Sequence, residues 1–191
     1  MTLRVSGGRQ LQSPPGSTAR PTAARVRLAV MNLLAAEIAG SRWLDLCCGS
    51  GVMACEALQR GASEVVAVER DRRIAAVARG NLELVLAGRP APPPETDAPG
   101  CSVVCDEVLL WLGRTTPSGF DLIYADPPYA AGLHAPIAAA VRDGGWLRPG
   151  GTLVWECASE AVPEVPPGWQ ARDIRRYGGS TVLLLEAKTS Q

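Results

Sequence analysis

The sequence has no long hydrophobic run, almost no lysine and a single histidine, and each shortage narrows the possible functions. No apolar run reaches the roughly 18 residues that a membrane-spanning helix requires. His134 is the only histidine and the six cysteines form no C-x-x-C pair, so no metal site is expected. Lys188 is the only lysine. This bias towards arginine, alanine and proline indicates a G+C-rich genome rather than an adaptation to nucleic acid.

The remaining composition is that of one ordinary globular domain. The chain has 191 residues, of which 47% are hydrophobic and 20% charged, enough for a single full core. The first residues show neither the apolar stretch nor the cleavage pattern of a secretory signal, so a cytoplasmic protein is expected. In such a reducing compartment the cysteines are expected to be small buried hydrophobic residues. They are Cys47, Cys48, Cys55, Cys101, Cys105 and Cys157.

Basic charge is concentrated at the start of the chain, although the formal net charge is zero. Residues 1–19 are predicted to form a basic N-terminal arm or hairpin that turns at Gly7 and Gly8, and residues 20–191 the main domain. An acid-free basic arm on a neutral domain is suited to contacting phosphates, although a solvated terminus without a partner fits the composition equally well. The arginines that precede the first acidic residue, Glu37, are Arg4, Arg9, Arg20, Arg25 and Arg27.

Short apolar runs alternate with amphipathic segments after the first helix, which is typical of an α/β fold. One helix is predicted from about residue 21 to near residue 40. Strands are then predicted at 43–48, 65–68, 102–105, 120–125 and 152–156, and helices at 52–59, 72–87, 107–112 and 134–143. The segments 170–177 and 181–187 flank a Gly-Gly turn and predict an antiparallel hairpin. We therefore expect a doubly wound, mostly parallel sheet with helices on both faces.

A glycine-rich turn, Gly49-Ser50-Gly51, follows the first predicted strand and precedes a helix. Glycines at this place allow the backbone to approach a ligand closely. Glu69 lies 20 residues after Gly49, at the end of the next strand, where a carboxylate can accept hydrogen bonds from ribose hydroxyls. NAD-binding domains and enzymes that use S-adenosylmethionine (SAM) share these features, so the turn alone does not separate them.

Two aspartates favour SAM over a dinucleotide. Asp45 precedes Gly49 by four residues, where its charge would repel a pyrophosphate but could hold the cationic amino group of SAM. Asp106 follows the third strand, near the expected place of an adenine amine. The alternative is that both aspartates merely cap the turn and the following helix.

The tetrapeptide Asp126-Pro127-Pro128-Tyr129 ends the fourth predicted strand. The two prolines have fixed φ angles and no amide hydrogen, so they form a rigid corner with carbonyl oxygens aimed in fixed directions. Open α/β sheets bind their ligands at this edge. One carboxylate, one or two carbonyl oxygens and one aromatic ring suit a planar substrate that carries an amino group.

Together these motifs stand in the order and spacing of a class I SAM-dependent methyltransferase, and the chain more closely resembles the ribosomal RNA small-subunit methyltransferase D family. The segments that carry the closer resemblance are Arg20-Pro21-Thr22, Arg25-Val26-Arg27 with Asn32, Leu44-Asp45-Leu46, Gly49-Ser50-Gly51 and Glu56-Ala57-Leu58. The resemblance covers nearly the whole chain. Cys47-Cys48 and Cys55 depart from the family pattern, as does the long 88–100 loop, but none of these changes removes a functional group.

The resemblance implies a Rossmann-like, seven-stranded sheet. It also implies transfer of a methyl group from SAM to the N2 amine of a guanine in 16S rRNA. The enzyme is expected to be cytoplasmic and monomeric and to act on a small-subunit particle. The cofactor-binding residues expected from it are Thr22, Arg25, Asp45, Cys48, Gly49, Ser50, Gly51, Glu69, Arg70 and Asp106. The expected RNA contacts are Arg4, Arg9, Arg20 and Arg27. The catalytic residues expected from it are Asp126, Pro127, Pro128 and Tyr129.

The chemistry that this implies is the activation of a weak nucleophile. The Asp126 carboxylate and the Pro127 carbonyl would accept both amine hydrogens and so localise the nitrogen lone pair, while Tyr129 would stack on a base that has left its helix. The alternatives are an amine methyltransferase acting on DNA adenine or protein glutamine, a SAM-binding assembly factor without turnover and, least favoured, an NAD-dependent oxidoreductase.

Overall fold

The computed structural model describes residues 3–14, 21–89, 100–128 and 131–188, without the side chains of 21–23. Within these residues the strands are β1 (Arg42–Leu46), β2 (Glu64–Glu69), β3 (Gly100–Cys105), β4 (Phe120–Ala125), β5 (Leu147–Ala158), β6 (Trp169–Tyr177) and β7 (Ser180–Ala187). The helices are α1 (Pro21–Leu33), α2 (Ala35–Ile38), α3 (Val52–Gln59), α4 (Arg72–Ala87), α5 (Val108–Arg114) and α6 (His134–Asp143).

The strands form one seven-stranded sheet in the order β3-β2-β1-β4-β5-β7-β6. The first five strands are parallel, whereas β7 lies antiparallel between β5 and β6. The predicted doubly wound, mostly parallel sheet with a terminal antiparallel hairpin is confirmed. Chain order reverses between β1 and β4, and ligands of open α/β sheets bind at the carboxyl ends of strands at such a point.

Each face of the sheet carries its own hydrophobic layer. Trp43 and Tyr124 stack at 6.2 Å on the face covered by α1, α3 and α4. Trp111, Trp146 and Phe120 pack together on the other face, under α5 and α6. Burying one large apolar side chain contributes roughly 1.5–3 kcal/mol, so these two layers hold the strand ends in fixed positions. In the described residues, no helix is long and apolar enough to cross a membrane.

Two elements differ from the sequence prediction. The β5 strand begins at Leu147 and so includes the Pro-Gly-Gly segment 149–151 that we expected to form a turn. A Cβ atom on Gly151 would lie 3.0 Å from the Asp121 carbonyl oxygen, so glycine permits this approach of β5 to β4. The first predicted helix is split after Leu33 into α1 and α2, and Glu37 on α2 pairs with Arg172 of β6 at 2.8 Å.

Residues 3–11 form a short hairpin that packs against α3. The Leu11 amide donates to the Leu3 carbonyl at 2.8 Å, and Val5 and Leu11 are both buried. The buried carboxylate of Glu56 on α3 accepts from the Ser6 amide at 2.9 Å and from Arg27 Nε at 3.2 Å. The hairpin is therefore fixed to the domain by apolar burial and by one carboxylate.

Candidate active site

The glycine-rich turn leaves β1 through an unusual backbone conformation. Cys47 has a φ of +62°, and Gly49 and Gly51 follow with φ of +55° and +72°. A non-glycine residue in this region costs on the order of 1 kcal/mol or more, and such residues cluster at functional sites. A Cβ atom on Gly51 would lie 3.0 Å from the Ala78 Cβ on α4. Gly51 is therefore required both by its φ and by this close approach.

Asp45 lies beneath this turn and is almost completely buried. Its Oδ2 accepts from the Ala54 amide at 3.0 Å. Burial raises the pKa of Asp45 to about 8, and the neighbouring charges of Asp126 and Glu69 add to the rise. A carboxyl group held in this way is ready to ionise when a cation arrives.

Glu69 joins the turn to the end of β2. Its Oε2 accepts from the Gly49 amide at 3.0 Å and its Oε1 accepts from the Asp71 amide at 2.9 Å. Each carboxylate oxygen retains a further lone pair for a ligand hydroxyl. Contact between Glu69 and a ribose remains a prediction.

Asn81 on α4 connects the turn to the N-terminal hairpin. Its amide nitrogen donates to the Ser50 carbonyl at 2.9 Å and to the Gln12 carbonyl at 3.0 Å, and its Oδ1 accepts from the Gln12 amide at 2.8 Å. The residue is fully buried. Sequence reasoning missed Asn81, although a buried asparagine in an amphipathic helix needs such partners.

The other residues predicted to bind the cofactor lie in the turn, just after β2 and β3, and on α1. Asp106 Oδ1 accepts from the Glu107 amide at 2.9 Å, and its Oδ2 pairs with Arg114. Cys48 is buried, and burial raises the pKa of its thiol. Arg70 is exposed just after β2, and Arg25 is exposed on α1. Thr22 belongs to α1, but its side chain lies outside the described residues.

The Asp-Pro-Pro corner follows β4 at the carboxyl edge of the sheet. Asp126 and Pro128 are exposed and Pro127 is buried. The Pro128 carbonyl accepts from the Ala131 amide at 2.9 Å. A substrate contact of the Pro127 carbonyl remains a prediction. The protein around the Asp126 carboxyl raises its pKa to about 7, mainly by desolvation and then through the charge of Glu156. Exposure of the residue to solvent on one side moderates this effect. Tyr129 lies outside the described residues.

Tyr124 and Glu156 belong to the site but were missed from the sequence. Tyr124 stands beside Asp45 on β1 and Val154 on β5. Because side chains two residues apart share a face of a sheet, Asp126 and Glu156 follow in the next row. The Tyr124 hydroxyl donates to Glu156 Oε2 at 2.5 Å. The sequence signal that could have identified Glu156 is an acidic residue within the apolar run of β5.

Four carboxylates thus lie along one edge of the sheet: Asp45, Glu69, Asp126 and Glu156. At least three of them are buried, so their field is only weakly screened by salt. The ionised carboxylates among them would repel a pyrophosphate and attract a cationic ligand. Among the described residues, no cluster of three or more His, Cys, Asp or Glu side chains has the arrangement of a metal site.

Three of the N-terminal arginines make hydrogen bonds within the chain. Arg4 donates to the Gly8 carbonyl at 2.7 Å. Arg9 donates to the Leu84 and Gly88 carbonyls at the end of α4. Arg27 donates to Glu56 and, at 2.7 Å, to the Arg4 carbonyl. Arg20 lies outside the described residues. RNA contacts by these four arginines remain predictions.

Comparison with known proteins gives consistent matches over nearly the whole chain. Residues 4–186 match the family described as conserved hypothetical protein 95. Ribosomal RNA small subunit methyltransferase D of Escherichia coli (strain K12) is 31% identical over 173 residues, which are 87% of this chain and 81% of that protein. The solved structure of yhhF from Escherichia coli has 27% identity and a TM-score of 0.82, with 100% of each chain covered. The rRNA methyltransferase aviRa from Streptomyces viridochromogenes, at 20% identity and a TM-score of 0.67 over 91% of this chain and 88% of that chain, shares the fold.

Proposed function

The chain belongs to the conserved hypothetical protein 95 family, and ribosomal RNA small subunit methyltransferase D is its relative at 31% identity. On this premise we propose that the protein transfers a methyl group from SAM to the N2 amine of a guanine in 16S rRNA. The observation that carries the proposal is the row of carboxylates at the carboxyl edge of the sheet, next to an Asp-Pro-Pro corner. The class of enzyme is that of SAM-dependent rRNA methyltransferases. The guanine N2 position is the finer part of the proposal.

The side chains around the glycine-rich turn fit SAM. Asp45 is a buried carboxyl whose only described hydrogen bond comes from the Ala54 amide, so it can pair with the ammonium group of the cofactor. Glu69 faces the same turn and has lone pairs left for ribose hydroxyls. A Cβ atom on Gly49 would meet nothing within 4 Å, so the turn has open space beside this glycine for a cofactor. When bound, SAM supplies an electrophilic methyl group.

The corner then prepares the amine. The Asp126 carboxylate and the Pro127 carbonyl accept one hydrogen each from the guanine N2 amine, which withdraws the nitrogen lone pair from the ring and orients it. Methylation leaves this nitrogen with an excess proton. Asp126 is the exposed carboxylate closest to it in this arrangement, and its raised pKa suits it to accept the proton. Tyr129 is proposed to stack on the base.

A small-subunit particle is the proposed substrate, and the contacts of the N-terminal arginines support this. Arg4, Arg9 and Arg27 already donate hydrogen bonds to carbonyls or carboxylates of the chain, which lowers their capacity to bind free RNA. Recognition would then depend on the shape of an assembled particle. Equal rates on naked 16S rRNA and on particles would contradict this part. A monomer in the cytoplasm is the simplest setting for this activity.

The proposal is tested by methyl transfer to small ribosomal subunits from a strain that lacks the gene. Wild type, Asp126→Ala and the control Asp143→Asn are incubated with radiolabelled SAM, and the RNA is digested to nucleosides. We expect N2-methylguanosine with wild type and the control, and a loss of at least about a hundredfold with Asp126→Ala. Label in another nucleoside would refute guanine N2 but keep the enzyme class. SAM binding without any transfer would favour an assembly factor.

A further inference from the structure

Glu156 is the buried acid of the site that the proposed reaction leaves without a role. Only 8% of the residue is exposed, near the end of β5. The register that pairs Ala125 with Trp155 places Glu156 beside Asp126 on the next strand. His134 Nε2 donates to the Glu156 backbone carbonyl at 2.9 Å, so the histidine holds the strand rather than the carboxylate.

The carboxylate of Glu156 is only partly supplied with donors. The Tyr124 hydroxyl donates to Oε2 at 2.5 Å. Within the described part of the chain, Oε1 accepts no hydrogen bond and no basic side chain forms an ion pair with Glu156. Glu156 keeps 8% of its surface exposed, and a carboxylate oxygen has lone pairs for further donors. A ligand can therefore bring a hydrogen-bond donor to Oε1.

Tyr124 fixes the orientation of the Glu156 carboxylate. Tyr124 is buried, and its ring stacks on Trp43 at 6.2 Å. Burial and the charge of Glu156 raise the pKa of its hydroxyl far above the usual range, so the hydroxyl stays protonated and remains a donor. Glu156 is thereby held in one orientation, next to the carboxylate of Asp126. Tyr124 is a positioning residue for Glu156.

We propose that Glu156 selects guanine by accepting the hydrogen on ring nitrogen N1, while Asp126 and the Pro127 carbonyl hold the N2 amine. The inference rests on the proposed function and names the base discrimination of the same site. Guanine presents N1–H and N2–H side by side on its Watson–Crick edge, whereas the N1 of adenine is an acceptor. Two carboxylates on neighbouring strands can accept the N1–H and N2–H hydrogens of guanine, whereas they repel the N1 lone pair of adenine.

A base analogue that keeps the amine but has an acceptor at N1 instead of a donor tests this directly. The methylated guanine is first mapped with wild-type enzyme on natural subunits. Subunits are then reconstituted with 2-aminopurine at that position, which keeps the amine but makes N1 an acceptor and also removes O6. The kcat/KM values on the two substrates are compared for wild type, Glu156→Gln and Tyr124→Phe. The matched control is Glu64→Gln, because Glu64 is the first residue of β2 and lies at the end of the strand away from the candidate site.

The expected result is a change in preference, not only in rate. Sites built to hydrogen-bond a group reject an analogue that lacks it strongly, so wild type should prefer guanine by at least about a hundredfold. In Glu156→Gln the amide can donate to the N1 of 2-aminopurine, and the preference should fall at least about tenfold. The loss of O6 affects both enzymes equally and cancels in this ratio. Tyr124→Phe should lower kcat/KM on guanine about tenfold with guanine still preferred.

Two results would overturn the inference. One is a wild-type enzyme that methylates both bases equally well, a measurement that remains valid even if a variant does not fold. The other is a Glu156→Gln enzyme that loses activity on both bases by the same factor while binding SAM normally, because Glu156 would then only support the structure. Failure of the proposed function is distinct from both, since wild type would then form no N2-methylguanosine on natural subunits.

Discussion

Replacing Asp45 by asparagine is expected to stabilise the free protein while it weakens SAM binding. The structure buries this carboxyl almost completely and raises its pKa from 3.8 to about 8. A group whose pKa is raised on folding favours the folded state only while it is protonated, so folding stability is lost as the pH rises from about 4 to about 8. Asparagine has the same shape, cannot ionise and can still accept from the Ala54 amide.

The size of the effect follows from the pKa shift. One pKa unit corresponds to about 1.4 kcal/mol, so a rise of about four units sets an upper limit of roughly 5–6 kcal/mol above pH 8. Relaxation and water entry reduce such penalties, and replacing buried charges typically gains about 1–4 kcal/mol. We expect about 2 kcal/mol, which for a chain of this length raises Tm by about 4–8 °C.

Thermal unfolding between pH 4 and 9 and calorimetric titration with SAM test both halves of the prediction. The Tm difference between Asp45→Asn and wild type should grow with pH up to about 8, and the variant should bind SAM about 10–100-fold more weakly. Asp143→Asn, which removes an exposed carboxylate from the end of α6, should change neither quantity. A variant that unfolds at a lower temperature at every pH, or that binds SAM like wild type, would refute the reasoning.

Three further predictions concern the corner, the turn and the hairpin. Because Asp126 must be ionised to accept a proton, kcat should rise with pH through about 7, and the rise should disappear in Asp126→Asn. Gly51→Ala should destabilise the fold by about 1–3 kcal/mol. The loss should exceed that of Gly49→Ala, where a Cβ atom has open space. Equal Tm losses in the two variants would contradict the role given to the contact between Gly51 and α4. Glu56→Gln weakens the pair with Arg27 at 3.2 Å, so hydrogen exchange in residues 3–11 should accelerate. Unchanged exchange would mean that the charge of Glu56 does not help to hold the hairpin.

Much of the fold could be predicted because its signals are local. The runs at β1, β2 and β4 are short, apolar and ended by an acid, a glycine or a proline, which marks both the strands and the edge where they finish. The order of strands and helices then leaves few topologies. These signals predict the mostly parallel sheet with its terminal hairpin, which the structure confirms.

The parts that could not be predicted depend on contacts between distant segments. Nothing local indicates that Gly151 lets β5 continue through a Pro-Gly-Gly segment, because the reason is the nearby Asp121 carbonyl on another strand. The same holds for Glu156, whose partner Tyr124 is 32 residues away in the chain. The residues expected to touch cofactor and RNA stay predictions, since their partners are not part of this chain.

The side chain of Asn81 holds both the N-terminal hairpin and the glycine-rich turn. One buried side chain is bonded to the backbone of Gln12 on one side and to that of Ser50 on the other. Lifting the hairpin off the domain therefore breaks hydrogen bonds at the same amide that holds the turn, and loosening the turn frees the amide that holds the hairpin. A displacement of residues 3–14 is therefore transmitted to the glycine-rich turn through the three hydrogen bonds of one side chain.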